Sequence, residues 1–236
     1  ITYPDGSEEK IQAKGLSFSH KDAGAVRWNA KARSGNLSFD VNGSLEADGF
    51  LGYEIKVDSK YDVEVADVSL IIPLNSDIAN YMLGLGRVGG SAPAEFKWKW
   101  DPYFNNDGPW IGDVNIGIQA SFRDVNYERP LNTNFYHQKP LIMPTSWYND
   151  GKGGIQLEQK DSHDELRASS GSREIKKGET LNFNAQFLIT PFHALNTQSQ
   201  WNTRYYHRYE PIDSILEYGG NTINVHHATE INPYIN

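Results

Sequence analysis

Near the end of the chain His226 and His227 stand side by side, followed closely by Glu230 and Asn232. Imidazole nitrogens and a carboxylate are common zinc ligands, so the group invites a metal reading. Strand geometry argues against it. In the run Thr-Ile-Asn-Val-His-His, consecutive side chains of a strand point to opposite faces, and adjacent histidines cannot then share one ion. His226, His227, Glu230 and Asn232 are expected to line the mouth of a substrate pocket, with no metal. A second group is aromatic: Trp98, Trp100, Trp110 and Trp147. An indole packs its face on the apolar C–H face of a pyranose while its N–H stays wet, and it fills a protein core equally well. Trp98 and Trp100, two residues apart, share one face of a strand. These four rings are the candidates for a sugar-facing or interdomain surface. Asp113 sits with Trp110, Gly112 and Asn115, where its carboxylate either reaches a ligand or caps a turn, with Arg123 and Arg129 available as ionic partners.

Other patterns carry no chemistry. Asp161, Asp164 and Glu165 lack the spacing of a calcium loop and read as a solvated turn. Gly84, Gly86 and Gly89 spell a Gly-x-Gly-x-x-Gly run, but a dinucleotide site needs a strand before it and a helix after it. Here the chain continues into Pro93 and a tryptophan strand. There is no phosphate loop, nucleophile elbow or zincin motif, and no cofactor is expected.

The elements that must position these residues are strands. Period-two alternation recurs over 10–20, 26–32, 37–41, 50–57, 63–74, 96–100, 110–122, 155–159, 165–168 and 181–189. Asn42-Gly43 is a hairpin signal after Leu37–Val41, since both residues tolerate positive φ. The unbroken Leu70-Ile71-Ile72 reads as a strand covered on both faces. The run from Asn75 to Gly84 reads as a helical turn. Leu181, Phe183, Ala185, Phe187 and Ile189 fall on one face of a final strand. So many strands with so little helix predict an all-β fold, a β-sandwich of two mainly antiparallel sheets. Beyond Pro191 the pattern changes: Pro211 to Tyr218 is a short helix closed by Gly219-Gly220, and Asn221 to His227 a strand. We expect residues 1–200 to form the sandwich domain, and 201–236 a linker helix and the first strand of a truncated barrel.

Composition bounds the function. With 236 residues and a net charge of -8, the chain lacks the clustered Lys and Arg that nucleic acid or an anionic membrane surface requires. No apolar run approaches the roughly 18–20 residues of a membrane span. Cysteine is absent, which excludes disulfides and thiolate chemistry. A chain that starts at Ile1 leaves the question of a leader open. Six Trp, thirteen Tyr and ten Phe beside 21 Gly and 11 Pro suit a turn-rich β domain and a sugar-binding surface alike.

Four stretches give a resemblance: WKWD (Trp98 to Asp101), WIGDVNIGIQ (Trp110 to Gln119), the region Tyr136 to Gly154, and Thr203 to Asn236 with YYHRYEP and INVHHATEINPYIN. On these the chain resembles the N-terminal domain of glycoside hydrolase family 123 and its bacterial relatives. The resemblance implies a β-sandwich ahead of an (α/β)8 barrel in a secreted, periplasmic or cell-surface protein that cleaves glycosidic bonds. It implies a β-linked N-acetylgalactosaminide as substrate, whose 2-acetamido group attacks while an Asp-Glu pair in the barrel orients it and supplies the acid. That pair would lie beyond Asn236, so no catalytic residue carries over to this chain. The resulting expectation is a non-catalytic accessory domain whose partners are a glycan and the catalytic barrel of the same protein. The alternatives are a free-standing carbohydrate-binding module or a structural surface protein.

Overall fold

The computed structural model describes residues 1–101, 107–127, 142–191, 193–194, 196–206 and 212–223. His226, His227, Glu230 and Asn232 lie outside them. The chain divides into two compact units, Ile1–His193 and Ala194–Asn236.

The first unit is built of strands β1 (Leu16–Lys21), β2 (Ala25–Ser34), β3 (Leu37–Glu46), β4 (Phe50–Ser59), β5 (Val63–Val65), β6 (Ser69–Leu74), β7 (Tyr81–Leu83), β8 (Glu95–Lys99), β9 (Trp110–Gly112) and β10 (Gly117–Arg123). After the short helix α1 (Thr145–Tyr148) and a 3-10 turn come β11 (Gly154–Gln159), β12 (Asp164–Ser169), β13 (Arg173–Ile175), β14 (Thr180–Asn182) and β15 (Asn184–Thr190). A nine-stranded sheet runs β1-β2-β3-β4-β15-β10-β9-β7, with β14 also paired to β4. A four-stranded sheet runs β6-β12-β11-β8, and β5 and β13 form a separate ribbon. Among the described residues every pairing in this unit is antiparallel, which suits strands that alternate between a core face and a solvent face. The predicted β-sandwich is the fold found.

Register explains the core. On the large sheet, alternation sets Ala32, Phe39, Val57 and Leu181 in one cross-strand row and Tyr53, Ala185 and Phe122 in another. On the small sheet the rows are Ile72, Leu166, Leu157, Phe96 and Leu70, Ala168, Ile155, Trp98. These rows meet in a single hydrophobic cluster between the sheets. A one-residue slip of any strand would turn its whole apolar set to water, so the register is tightly specified.

Three expectations change. The Asn42-Gly43 pair is not a turn: β3 runs through it, and Gly43 is needed because the indole of Trp28 lies across it. A Cβ there would stand 2.1 Å from the ring. The reversal falls at Ala47-Asp48-Gly49 instead, with Gly49 at φ 83° and the Asp48 carboxylate accepting from Phe50 N at 3.1 Å. The Leu70–Ile72 strand is not covered on both faces, since β6 is an edge strand and Ile71 is exposed. Asn75 to Gly84 holds one turn closed on Asn75 O by the N–H groups of Ile78 and Ala79, and then becomes β7, because Met82 pairs into the sheet edge and is fully buried.

The second unit contains α2 (Thr197–Asn202), β16 (Tyr205–Tyr206), α3 (Ile212–Glu217) and β17 (Thr222–Ile223). The sequence boundary expected between residues 200 and 201 falls inside α2. Asn196 caps this helix, its side chain accepting from Ser199 N at 3.2 Å. The predicted helix and strand correspond to α3 and β17. The pattern missed β16, which pairs with β17 in parallel, so the described part of this unit is a strand, helix and parallel strand. Asn221 ties it together: its amide donates to Asn202 O at 2.6 Å and its carbonyl oxygen accepts from Arg204 N at 2.7 Å. Gly219, at φ 74°, ends α3 in the left-handed conformation that glycine adopts without penalty. Among the described residues no helix is long and apolar enough to cross a membrane.

Candidate functional site

The face of the large sheet opposite the core is polar, and strand register decides what it presents. Arg27, Ser44, Gly52, Gln186 and Ser121 form one row across β2, β3, β4, β15 and β10. Asn29, Asn42 and Glu54 form the next, with Asn184 opposite Arg123 farther along the sheet. All of these but Ser121 and Asn29 line a groove of about 580 Å³, to which Phe50 and Tyr127 also contribute. Gly52 keeps its floor low. A Cβ at this position would lie 3.2 Å from Ser44 Oγ and 3.5 Å from the Phe50 ring.

Part of the groove is internally satisfied and part is not. The Asn29 amide donates to Asp40 Oδ1 at 2.6 Å and to Asn42 Oδ1 at 3.0 Å, and Asn184 Oδ1 accepts from Ile55 N at 3.2 Å. The side chains of Arg27, Ser44, Glu54, Gln186 and Arg123 make no hydrogen bond or ion pair among the described residues. Arg123 is held in a cation–π contact, its guanidinium carbon 4.9 Å from the centre of the Tyr127 ring. Tyr127 is fixed in turn by donating to the buried carboxylate of Asp107. Asp124, next in sequence, is occupied: its oxygens accept from Asn126 N at 2.8 Å and Ser146 N at 3.0 Å. Tyr53 borders the groove from the core side, and burial pushes its phenol above the ordinary value, so it stays a neutral hydroxyl. A sheet face whose donors and acceptors lack partners among the described residues, edged by aromatic rings, suits a polyhydroxylated ligand.

The sequence candidates lie elsewhere. Trp147 is 1% exposed. Its ring meets Phe183 at 4.9 Å and Phe122 at 5.5 Å, both edge-on, and its Nε1–H donates to Asn184 O at 3.0 Å. It is a core residue, and neither of its faces is open to a sugar. Trp100 is also buried and packs edge-on to Trp98 at 5.0 Å. Trp98, partly buried on the inner face of β8, packs on the same cluster. The expected surface pair therefore faces inward, because β8 turns that face of its alternation toward the core.

Trp110 does lie on the outer face, but its ring covers Gly117, where a Cβ would approach to 2.3 Å, and its Nε1–H donates to Thr190 Oγ1 at 2.8 Å. It clamps β9, β10 and β15 together. Asp113 closes the β9–β10 turn: Oδ1 accepts from Val114 N at 2.6 Å and Oδ2 from the Asn80 amide at 3.3 Å. It is a turn cap whose side-chain partner among the described residues is Asn80; Arg129 lies outside them. Trp98 and Trp100 are thus brought together, as are Trp110 and Asp113 on one hairpin, while the groove gathers residues that none of these motifs included. The usable signal was the polar half of the alternation, Arg27 and Asn29 or Asn42 and Ser44, on strands whose other half is apolar.

Comparison with known proteins follows the two units. The family model described as the third domain of glycoside hydrolase 123 matches residues 2–191, and the one described as its TIM-barrel domain matches 196–236. No curated protein matches the chain. Among solved structures, the GalM/aldose epimerase homologue from C. elegans is similar at 9% identity and a TM-score of 0.43, covering 75% of this chain and 68% of that one. A galactose mutarotase related enzyme from Lactobacillus acidophilus is similar at 10% identity and a TM-score of 0.38, covering 76% and 71%. Heparan sulfate lyase HepC from Pedobacter heparinus is similar at 9% identity and a TM-score of 0.33, covering 76% of this chain but 22% of its own length.

Proposed function

Because the chain belongs to glycoside hydrolase family 123, we propose that its sandwich is a non-catalytic domain that holds a glycan for the barrel of the same protein. The observation that carries this is the groove on the outer face of the large sheet, where the side chains of Arg27, Ser44, Glu54, Gln186 and Arg123 make no hydrogen bond among the described residues, beside Phe50 and Tyr127. Sugar hydroxyls are both donors and acceptors, so a surface offering amide, hydroxyl, carboxylate and guanidinium groups matches them without repacking. The catalytic part of the reading rests on the family: hydrolysis of a β-linked N-acetylgalactosaminide by the barrel, with the sandwich adding grip on the same chain of sugars.

Calorimetric titration of the purified chain with a panel of neutral and N-acetylated oligosaccharides tests the reading. Binding is expected for at least one glycan, and the double substitution Glu54→Ala with Gln186→Ala should weaken it at least tenfold at an unchanged unfolding midpoint. A loss of about 1.4 kcal/mol corresponds to that factor. Absence of binding across the panel, or binding indifferent to the double substitution, contradicts it.

A further inference from the structure

Arg123 gives the groove more than a neutral sugar needs. Its Nε is buried without a partner among the described residues, no hydrogen bond to its Nη atoms is formed among them either, and the half-buried side chain lines the groove. The guanidinium carbon lies 4.9 Å from the centre of the Tyr127 ring, and Tyr127 is anchored on Asp107. No carboxylate among the described residues forms an ion pair with it, although acidic residues outnumber basic ones 30 to 22 in the chain. The adjacent Asp124 has both oxygens engaged by backbone N–H groups. Arg27, exposed on the same face, forms no ion pair among the described residues either; Glu46, next on that face of β3 after the Ser44 opposite Arg27, is the acid closest to it in the rows of the sheet, with Glu54 farther off on β4. A planar guanidinium presents parallel N–H groups that match two oxygens of an anion, and such charge-assisted bonds are about twice as strong as neutral ones.

We infer that the groove selects glycans bearing an anionic substituent, a carboxylate or a sulfate, which Arg123 receives at its Nη end while neighbouring sugars lie over Ser44, Gly52 and Gln186. This rests on the glycan-binding reading above and adds the class of glycan.

The test titrates the full chain with three oligosaccharides of equal length: a uronate-containing one, a sulfated one and a neutral one. At low ionic strength either acidic form is expected to bind at least tenfold tighter than the neutral form, and the advantage should shrink as salt is raised. Arg123→Gln should bring the ratio of acidic to neutral affinity close to one; the ratio is the readout, because the guanidinium also contributes to the groove's hold on a neutral sugar. Arg123→Lys, which keeps the charge but not the planar fork, should restore only part of it. Arg27→Gln, at an exposed position with no packing role, should reduce the ratio by a few-fold and serves if the Arg123 variants fold poorly. The uronate and sulfate arms show which anion is preferred. Equal affinity for acidic and neutral forms, or an Arg123→Gln variant with an unchanged ratio, overturns the inference while leaving glycan binding standing. Failure of all three to bind overturns both.

Discussion

Replacing Trp147 with alanine is expected to lower the unfolding free energy by about 3–5 kcal/mol, the range for removing a large buried aromatic side chain. The ring has no exposed face. It is packed edge-on against Phe122 and Phe183, and the cavity left behind would be walled by strands of the large sheet that cannot collapse without breaking their ladder. The change also removes the donor to Asn184 O, leaving a carbonyl whose strand has already surrendered an ordinary pairing there, since Ile55 N takes the Asn184 side chain as its acceptor. Trp147→Phe should fall between the wild type and alanine, because it keeps most of the packing and loses only the hydrogen bond. Urea unfolding at constant slope reads all three. A surface tryptophan would cost no more than about 0.5 kcal/mol, so the experiment separates a core role from a ligand-facing one.

Gly153→Ala should be nearly as damaging, at about 3 kcal/mol, the upper end for overpacking. A Cβ at Gly153 would stand 1.7 Å from Trp147 O and 2.8 Å from Ser169 O, backbone atoms on two sides with no flexible side chain to give way. Gly153 N donates to Tyr148 O at 3.0 Å, so the residue closes α1 and its following turn onto β11. Pushing it outward would lift the helix that carries Trp147 and loosen Arg173, whose Nη1 donates to Ser146 O at 2.7 Å and whose pKa burial lowers. The expected result is a lower urea midpoint together with altered tryptophan fluorescence. A change confined to less than 1 kcal/mol would mean that the turn adapts more easily than its geometry implies.

Strand existence was legible because a half-buried strand writes its period into the chain: Leu181, Phe183, Ala185 and Phe187 are all buried as alternation requires. The signals that misled were those with two physical causes. Asn-Gly serves a type I′ turn, yet Gly43 serves the ring of Trp28 across the strand, and a single sequence holds no cue that separates a missing Cβ from a positive φ. Leu70-Ile71-Ile72 suggested burial on both sides, but position within a sheet is decided by partners remote in the chain, and β6 ends at an edge. The same limit governed the candidate site. Tryptophan types were conspicuous, while the face each would occupy depended on which side the second sheet covered. The groove brings Arg27 and Ser44 beside Gln186 through pairings across β3, β4 and β15, a juxtaposition that only register reveals.

The central claim is that the outer face of the large sheet, and not the tryptophans of β8 or α1, is where this chain meets a glycan. The most direct measurement is backbone amide chemical-shift mapping of the isotope-labelled 26.6 kDa chain during titration with an acidic oligosaccharide. The account predicts saturable shifts at Arg27, Ser44, Gly52, Glu54, Arg123 and Gln186, with Trp98, Asp113 and Trp147 unmoved. Shifts centred on Trp98 or Asp113 with the groove silent would contradict it.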